Sequence, residues 1–278
     1  MNNSKDLPVS YQYRAPAKIN WDLFLFPRNS TGLHPIDSIA TTIDLWDELT
    51  IRVAEGHGID VGCPISPGKD NIVWKAVKVF LDYTQLRFQV SVDVTKNIPS
   101  GAGLGGGSSD AMHTLLMLDR ITKSDLTIRE MLSIAKQIGS DLPLFLYGGW
   151  IRVSGTGEFV ERVIAPEKKL LLVKPDKSVS TKEVYQQWDE YQKSIEMPEI
   201  KERLIHPFNA LQTTTCNLVP DLKRIIIYLE GLSYTRNVSM TGSGTAVFAE
   251  INNTNSVELD CIGKECNCRC WLTNTTSS

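Results

Sequence analysis

Apolar and polar residues alternate in some segments of this chain and recur with helical spacing in others. Residues 88–94, FQVSVDV, alternate strictly and predict a β-strand. Residues 13–26, YRAPAKINWDLFLF, alternate in the same way and also predict a strand. Its apolar residues would share one face, while Lys18, Asn20 and Asp22 would share the other. A lysine and an asparagine side by side on a strand favour a binding role or an exposed edge strand.

Helical spacing appears in segments that lie between the strands. Apolar residues recur every three or four positions in residues 73–81, 111–118, 126–135 and 222–232, and each segment predicts an amphipathic helix. The run LLLVKPD at residues 170–176 predicts a buried strand. The pattern therefore indicates a mixture of α and β structure.

A glycine-rich stretch separates the strand at residues 88–94 from the helix that follows. Five of the seven residues from Gly101 to Gly107 are glycine, so side chains do not block the approach of backbone N–H groups. Ser108 is a plausible N-cap for the helix. Because a glycine loop before a helix N-terminus offers unpaired amides and a positive dipole end, the stretch predicts an anion site, most naturally for phosphate.

Three known kinds of glycine-rich segment compete for this stretch. Gly101, Gly103 and Gly106 fit the dinucleotide pattern G-x-G-x-x-G, but a second helix follows here instead of a strand that carries an acidic residue. A Walker A loop would place a lysine before Ser108, where this chain has glycine. A flexible linker rarely leads directly into a strongly periodic helix. The remaining interpretation is a phosphate loop whose cation comes from another part of the chain.

Composition and charge describe a globular protein without an obvious macromolecular partner. The 278 residues suit two domains, with 42% hydrophobic and 22% charged residues. A net charge of −3 gives no electrostatic reason to expect nucleic acid. No apolar run reaches membrane-spanning length. The leader MNNSKDLPVSYQYR resembles neither a signal peptide nor a transit peptide, so we expect a cytoplasmic protein without a membrane partner.

Four of the six cysteines cluster near the end of the sequence. Cys266, Cys268 and Cys270 alternate with Asn267 and Arg269. A metal site is one interpretation, although the spacing lacks the usual C-x-x-C chelate. The favoured interpretation is a strand whose three cysteines face the core, while Asn267 and Arg269 face water.

The sequence resembles one known enzyme family in three motifs. Residues 99–109, PSGAGLGGGSS, closely resemble the nucleotide loop of the GHMP kinases, especially of the erythritol kinases of isoprenoid synthesis. Residues 16–20, PAKIN, are similar to the family's opening motif, and residues 237–248, NVSMTGSGTAVF, to its third motif. The motifs occur in the family's order and spacing, so the resemblance covers nearly the whole chain.

The resemblance implies a fold and a division into domains. It implies an α+β fold in two lobes, the first like domain 2 of ribosomal protein S5 and the second ferredoxin-like. The expected boundaries are residues 1–163 for the ATP-binding domain and 164–278 for the substrate-side domain. The order of strands and helix pairs is compatible with this fold, but the hydrophobic pattern alone does not select it.

The resemblance also implies that the protein binds ATP together with Mg²⁺. Asn71 matches an asparagine beside adenine in the family; taken alone, it would pass for a helix N-cap. Ser108 or Ser109 is expected to help place the magnesium ion, and no protein metal ligand is identified by the sequence. The expected ATP-binding residues are Asn71, Lys96, Pro99, Gly101, Ala102, Gly103, Leu104, Gly105, Gly106, Gly107, Ser108 and Ser109.

A cytidyl-erythritol substrate is expected on the other side of the site. The family's histidine, matched by His34, hydrogen-bonds the cytosine edge, and the preceding family aromatic is replaced here by Leu33. Tyr185 matches an aromatic that stacks on cytosine; the alternative is an ordinary core aromatic of an amphipathic helix. The expected substrate-binding residues are Asn20, His34, Thr181, Tyr185, Gly242 and Ser243.

Two residues are expected to carry the chemistry. Asp141 lies in the segment GSDLPLF, which is similar to the family segment whose aspartate is the general base. Lys18 would keep Asp141 ionised and neutralise charge on the transferring phosphoryl group. Taken alone, Asp141 would pass for a helix N-cap and Lys18 for an edge-strand lysine.

Other functions remain open from the sequence. Another GHMP kinase that acts on a small alcohol such as homoserine or mevalonate would not need His34 and Tyr185 as a cytidine clamp. Residues 209–212, NALQ, resemble the family's Asn-Asp-Leu-Glu, with departures at Ala210 and Gln212. Together with Leu33 these departures keep a nucleotide-binding relative without turnover open, although Lys18, Asp141 and the glycine stretch argue against it. We expect a small-molecule substrate, no nucleic-acid partner, and a monomer or weak homodimer.

Overall fold

The computed structural model describes residues 10–190, 197–252 and 257–276. The first nine residues of the leader lie outside the described part. The strands are β1 Ser10–Asn20, β2 Asp22–Leu25, β3 Ile36–Glu55, β4 Gly58–Gly62, β5 Phe88–Thr95, β6 Trp150–Gly155, β7 Phe159–Arg162, β8 Lys169–Pro175, β9 Phe208–Asn209, β10 Thr235–Met240, β11 Val247–Ile251 and β12 Cys268–Asn274. The helices are α1 Ile72–Thr84, α2 Gly106–Thr122, α3 Ile128–Ile138, α4 Leu142–Tyr147, α5 Thr181–Glu190, α6 Ile200–Arg203, α7 Gln212–Leu218, α8 Pro220–Glu230 and α9 Leu259–Cys266. The expected α+β class is confirmed.

The chain forms two compact units, each assembled from segments that are distant in sequence. The first unit comprises Met1–Pro16, Trp46–Ile98 and Gly106–Leu146. The second unit comprises the remaining segments, which are Ala17–Leu45, Pro99–Gly105 and Tyr147–Ser278. This grouping reflects compactness and does not test the expected division between residues 163 and 164, which stays a prediction.

The first unit combines a small sheet with helices α1, α2 and α3; α2 is buried on most of its sides, from Ser109 to Leu118. Strand β5 pairs in parallel with β4 and antiparallel with the second half of β3, from Glu48↔Thr95 to Glu55↔Phe88. Helix α1 packs against α2 and α3. Helix α1 begins at an N-cap, Asn71, and α3 begins at a capping box formed by Thr127 and Glu130. Since these signals agree with the apolar spacing, the predicted helices at residues 73–81 and 126–135 are confirmed.

The second unit contains two further sheet regions. The first half of β3 pairs antiparallel with β2 and with β6, and β6 forms a hairpin with β7. A separate four-stranded sheet has the order β10-β11-β8-β12. Its apolar face packs with α7, α8 and α9 side chains in a core that includes Leu171, Val247 and Ile225. The predicted buried strand at residues 170–176 is therefore β8, whose residues Leu170 to Val173 are fully buried.

Two predicted strands differ from the structure. Residues 13–26 form two strands, because the chain bends at Trp21, whose fully buried indole stacks on Phe248. The prediction that Cys266 lies in the same strand as Cys268 and Cys270 is wrong, because Cys266 is the last residue of α9. Asn267 ends that helix in the left-handed conformation, so only Cys268 and Cys270 belong to β12.

The described helices are all too short or too polar to span a lipid bilayer.

Candidate active site

The end of strand β1 holds the lysine and asparagine of the first motif. Lys18 Nζ donates to Asn20 Oδ1 at 2.5 Å, and both residues are buried. The Asn20 backbone N–H donates to Thr241 Oγ1 at 2.8 Å, and Asn20 Nδ2 donates to Ser38 Oγ at 2.8 Å. These bonds fix the amide side chain, so the lysine amine is held in one direction.

The glycine stretch packs tightly against the third motif. A Cβ atom on Gly103, whose φ is +80°, would lie 3.0 Å from Gly244 N, and one on Gly242 would lie 3.3 Å from Lys18 Nζ. The Ala246 N–H donates to the Ala102 carbonyl at 3.2 Å, and the Lys18 N–H donates to the Leu104 carbonyl at 2.9 Å. Within the second unit, the structure therefore brings the first motif, residues 99–105 and the third motif together.

The close approach at Gly244 gives a testable prediction. A Cβ atom there would lie 2.6 Å from the Ala102 carbonyl oxygen, much closer than real Cβ contacts. We expect Gly244→Ala to lower the free energy of unfolding by about 1–3 kcal/mol, since backbone atoms would have to move. Urea denaturation measures this. The matched control is Gly231→Ala, where the nearest atoms would lie 3.4 and 3.6 Å away; equal stability of the two variants would contradict the prediction.

Further contacts brace the glycine turn at residues 242–244. Asn209 Nδ2 donates to the carbonyls of Met240 and Gly242, both at 2.9 Å. Thr181 Oγ1 and Ser243 Oγ lie 2.8 Å apart and share a hydrogen bond. Two of the expected substrate-binding hydroxyls are therefore adjacent. The sequence motifs did not indicate the bracing role of Asn209.

The helix after the glycine stretch begins earlier than expected. Helix α2 starts at Gly106, so the prediction of Ser108 as its N-cap is wrong. Ser108 is half-buried, whereas Ser109 is fully buried, with its Oγ 3.2 Å from His113 Nδ1. Since the first-turn amides of a helix have no carbonyl partner within it, Gly106 to Ser109 offer N–H groups to an anion. Of the two serines, Ser108 has the accessible hydroxyl.

A buried ionic cluster lies beside the start of α2. Lys96 Nζ contacts the carboxylate of Asp47 and donates to Asp110 Oδ2 at 2.7 Å. Asp47 Oδ1 also accepts the backbone N–H groups of Asn97 at 2.6 Å and Ile98 at 2.8 Å. Sequence reasoning identified Lys96 and missed both carboxylates, because they lie 49 and 14 residues away from it. The cluster fixes residues 96–98, which lead into the glycine stretch.

Burial shifts the pKa values of two side chains of α2, Asp110 and His113, in opposite directions. Burial raises the pKa of Asp110 to about 7, against the opposing charge of Lys96 and with help from Asp47. Burial lowers the pKa of His113 to about 4, against a hydrogen bond to the Ser109 backbone. In the unfolded chain, the ordinary values are 3.8 and 6.5. Between pH 4 and 6.5 the native state therefore holds a proton on Asp110 and lacks one on His113.

These shifts predict opposite effects of pH on two variants. The raised pKa of Asp110 makes stability fall as pH rises, and the lowered pKa of His113 makes stability fall as pH falls. Relative to wild type, the stability of His113→Gln should therefore fall from pH 4.5 to 6.5, and that of Asp110→Asn should rise. Each slope is at most about 1.4 kcal/mol per pH unit.

Urea denaturation at three pH values measures both slopes. The matched control is His57→Gln, which makes the same substitution at an exposed histidine and gives the reference curve. If the stability of the wild type and of both α2 variants changes with pH in the same way, the assignment of Asp110 and His113 as buried titrating groups is contradicted.

Other expected ATP-binding residues lie in the first unit. The Asn71 side chain caps α1 by accepting the Val73 N–H at 2.8 Å, and its Nδ2 donates to the Ser66 carbonyl at 2.6 Å. Asp141 is exposed and immediately precedes α4. Its carboxylate is therefore accessible to a ligand. Asn71, Lys96, Asp141 and residues 106–109 belong to this unit, and the other expected site residues belong to the second.

His34 is held between a loop and helix α5 in the second unit. Its Nδ1 lies 2.9 Å from the Phe26 carbonyl oxygen, and its ring centroid lies 5.5 Å from that of Tyr185. Its side chain is 4% exposed, whereas Leu33 is 55% exposed. Asp189 lies beside His34 and was not indicated by the sequence motifs.

In the described ranges 10–190, 197–252 and 257–276, no three His, Cys, Asp or Glu side chains are grouped to hold a metal ion.

Comparison with known proteins identifies the family. Residues 71–149 match the model of the GHMP kinases N terminal domain. The 4-diphosphocytidyl-2-C-methyl-D-erythritol kinase of Desulfitobacterium hafniense is 31% identical over 274 residues, which are 94% of each chain. The chain belongs to the GHMP kinase family. The enzyme of the same name from Caldanaerobacter subterraneus is 33% identical over 88% of this chain and 89% of its own.

Solved structures of GHMP kinases share the fold of this chain. A crystal structure of 4-(cytidine 5'-diphospho)-2C-methyl-D-erythritol kinase has a TM-score of 0.83 at 27% identity, covering 96% of this GHMP kinase and 100% of that chain. The mevalonate kinase of Methanococcus jannaschii has a TM-score of 0.70 at 16% identity, covering 98% and 100%. The second likeness shows the fold alone. The resemblance seen in the three motifs is therefore confirmed over nearly the whole chain.

Proposed function

We propose that this GHMP kinase transfers the γ-phosphoryl group of ATP to the 2-hydroxyl of 4-diphosphocytidyl-2-C-methyl-D-erythritol, in the non-mevalonate route to isoprenoid precursors. The observation that carries the proposal is the packing of Lys18 Nζ against Gly242, which in turn contacts Gly103, because it puts a cation beside bare backbone. Relatives named for this activity, matched over most of the chain, support the choice of substrate.

ATP binding is assigned to the glycine stretch and its flanks. Phosphate oxygens would accept hydrogen bonds from backbone N–H groups between Gly103 and Ser109, and the dipole of α2 would favour their charge. Asn71 would contact the adenine, and Lys96 would support the loop through Asp47. The other residues assigned to ATP are Pro99, Gly101, Ala102, Leu104, Gly105, Gly106, Gly107 and Ser108.

The residues around Ser108 fit a magnesium ion that arrives with ATP. Of Ser108 and Ser109, Ser108 has the accessible hydroxyl. Hydroxyl and phosphate oxygens are hard ligands of the kind that magnesium prefers. When bound, the ion would neutralise charge on the phosphates. The protein's own contribution would be the Ser108 oxygen and the orientation of the loop.

Two charged side chains are assigned to phosphoryl transfer. Asp141 would accept the proton of the attacking hydroxyl, which makes the oxygen a better nucleophile. Lys18, oriented by its bond to Asn20, would neutralise negative charge on the transferring group. Since phosphoryl transfer depends mainly on positioning and charge neutralisation, these two roles complement the phosphate-binding amides of the glycine stretch.

Substrate binding is assigned to the second unit. Tyr185 offers an aromatic surface to cytosine, and His34 lies beside it with a ring distance of 5.5 Å. The hydrogen-bonded hydroxyls of Thr181 and Ser243 would face the erythritol or diphosphate part. Asn20 and Gly242 complete the set assigned to substrate. We further propose a cytoplasmic monomer or weak homodimer that binds neither nucleic acid nor membrane.

The test is turnover of ATP by the purified protein with each of three alcohols. We expect ADP formation with 4-diphosphocytidyl-2-C-methyl-D-erythritol and none above background with homoserine or mevalonate. Phosphorus NMR of the product should show a phosphate monoester. Turnover with another alcohol would replace the proposed substrate, and ATP binding without turnover would indicate a catalytically silent relative.

A further inference from the structure

Helix α5 presents three side chains to His34 from a single face. Tyr185, Trp188 and Asp189 are spaced i, i+3 and i+4, so they point in the same direction. The imidazole lies 5.5 Å from the Tyr185 ring and 5.2 Å, edge-on, from the Trp188 ring. This face therefore fixes where the histidine ring can lie.

Asp189 connects this helix face to the loop that carries His34. Its Oδ2 accepts from Arg28 Nε at 2.9 Å and from Nη2 at 2.6 Å. Its Oδ1 lies 3.1 Å from His34 Nε2, an ion-pair distance without the alignment of a full hydrogen bond. One carboxylate therefore contacts two basic groups from the loop.

Both nitrogens of the His34 ring face oxygen atoms that accept hydrogen bonds. Nδ1 lies 2.9 Å from the carbonyl oxygen of Phe26, and Nε2 faces the Asp189 carboxylate. Because a carbonyl and a carboxylate both offer acceptor oxygens, the ring is held at both of its nitrogens. The two bonds from Arg28 hold the Asp189 carboxylate in place beside the ring.

The loop is also ordered by its own hydrogen bonds. Arg28 Nη1 donates to the Gly32 carbonyl at 2.7 Å, and Asn29 Oδ1 accepts the N–H groups of Thr31 at 3.0 Å and Leu33 at 3.1 Å. The loop is thus a formed element, and Arg28 and His34 attach it to α5 through Asp189. Removing that carboxylate would release the attachment without unfolding the loop.

We propose that Asp189 is a positioning residue for the pyrimidine-diphosphate half of the substrate. It holds Arg28 and His34 against α5, and so fixes the His34 ring 5.5 Å from Tyr185, the aromatic assigned to cytosine. A ring that is already held in place lowers the ordering cost of binding a flat base. The inference rests on the proposed function, since it assigns a role within that substrate site.

Steady-state kinetics of Asp189→Asn tests the proposal. We expect KM for the cytidyl substrate to rise about tenfold or more, which is the usual loss for a charge-assisted contact. We expect kcat within about threefold of wild type and KM for ATP unchanged, since Asp189 acts on one substrate only. Asp189→Glu, which keeps the charge, should recover part of the loss.

The matched control is Asp93→Asn. It removes the carboxylate of another Arg–Asp pair with a 2.6 Å contact, the exposed pair with Arg52 in the first unit. Neither KM should change. Equal rises of both KM values in Asp189→Asn would overturn the proposal in favour of a general structural role, and an unchanged KM for the cytidyl substrate would overturn it outright.

Nitrogen NMR of the His34 ring gives a readout independent of turnover. Asp189→Asn should shift the signal of Nε2, which faces the carboxylate, more than that of Nδ1, which lies beside the Phe26 carbonyl. An unchanged ring signal would overturn the link between Asp189 and His34. If the wild-type protein fails to phosphorylate the cytidyl substrate but the NMR difference appears, the proposed function fails and the link stands.

Discussion

The Asp141→Asn variant is expected to turn over about 10²–10⁴-fold more slowly than the wild type, while its affinity for ATP stays the same. An asparagine has the same shape as the aspartate and cannot accept the proton of the substrate hydroxyl. Asp141 is exposed directly before α4, so its replacement leaves no buried group unpaired. The expected loss therefore belongs to the chemical step. Steady-state kcat and equilibrium titration with ATP measure the two parts separately.

A double variant tests whether Asp141 acts together with Lys18. Lys18→Met should also lower kcat, because it removes the cation proposed to neutralise the transferring group. If both side chains serve one transition state, the double variant should be much less impaired than the product of the two single losses. If the two losses of kcat multiply instead, Lys18 and Asp141 act independently of each other.

The control for Asp141→Asn is Asp60→Asn, at an exposed carboxylate on β4. It should keep normal kcat and stability. Near-normal turnover by Asp141→Asn itself would remove Asp141 from the chemistry and would favour its alternative interpretation as a helix N-cap.

Local patterns predict the elements of this fold where propensity and burial agree. The alternating residues of β5 and the periodic apolar residues of α1 and α8 formed the expected structures, because one face of each is buried. Helix α2 is different. It begins at Gly106, within a run of glycines that offer no side chain to cap the helix. The first residue of a type that commonly caps helices is Ser108, which is why the sequence predicted the helix start there. A Cβ atom on Gly106 would lie 3.0 Å from Ile98 and 3.2 Å from Asp47, and tertiary contacts of this kind are not visible in the local pattern.

A repeating pattern can also continue past the end of an element. Cys266, Cys268 and Cys270 alternate in sequence as a strand would, but the alternation crosses the junction between α9 and β12. Asn267 in the left-handed conformation marks that junction, and asparagine is less distinctive there than glycine. The prediction that Cys268 and Cys270 face a core remains correct, since both pack against the buried cluster of the second unit.

The site was predictable as far as its motifs extend. Lys18, Gly103 and Gly242 lie in three matched motifs, and the structure packs them together in one unit. The supporting carboxylates were not predictable. Asp189 lies 161 residues from its partner Arg28, and neither belongs to a periodic pattern that would pair them. Pairings of this kind depend on tertiary structure, which local sequence does not encode.

A second network of buried charges supports strands β2 and β3, which follow the strand that carries Lys18. Arg203 donates from Nε to Asp22 Oδ2 at 2.7 Å and from Nη2 to Asp22 Oδ1 at 2.9 Å, and Nη2 also lies 2.8 Å from Asp37 Oδ1. Asp37 is further paired with Arg152. Burial raises the pKa of Asp22 even though Arg203 opposes the shift, so the carboxylate is costly to bury and depends on this partner.

Arg203→Met is therefore expected to lower the free energy of unfolding by about 3–5 kcal/mol, because it leaves the Asp22 charge buried without its partner. This is a large share of the roughly 5–15 kcal/mol by which folded domains are stable. Urea denaturation with an unchanged m-value measures it. Combining Arg203→Met with Asp22→Asn should recover part of the loss, since the second change removes the unpaired charge.

The control for this loss is Arg52→Met, which breaks the exposed pair with Asp93. Its expected cost is at most about 1 kcal/mol, because water solvates both partners. If Arg203→Met does not accumulate as folded protein, Arg203→Lys keeps the charge and should fold with a smaller loss. Similar costs for Arg203→Met and Arg52→Met would contradict the prediction, as would a double variant less stable than Arg203→Met alone. Both changes remove an arginine that is bonded to an aspartate, and the two pairs differ in burial. The difference between the two losses therefore measures how burial raises the cost of breaking such a pair.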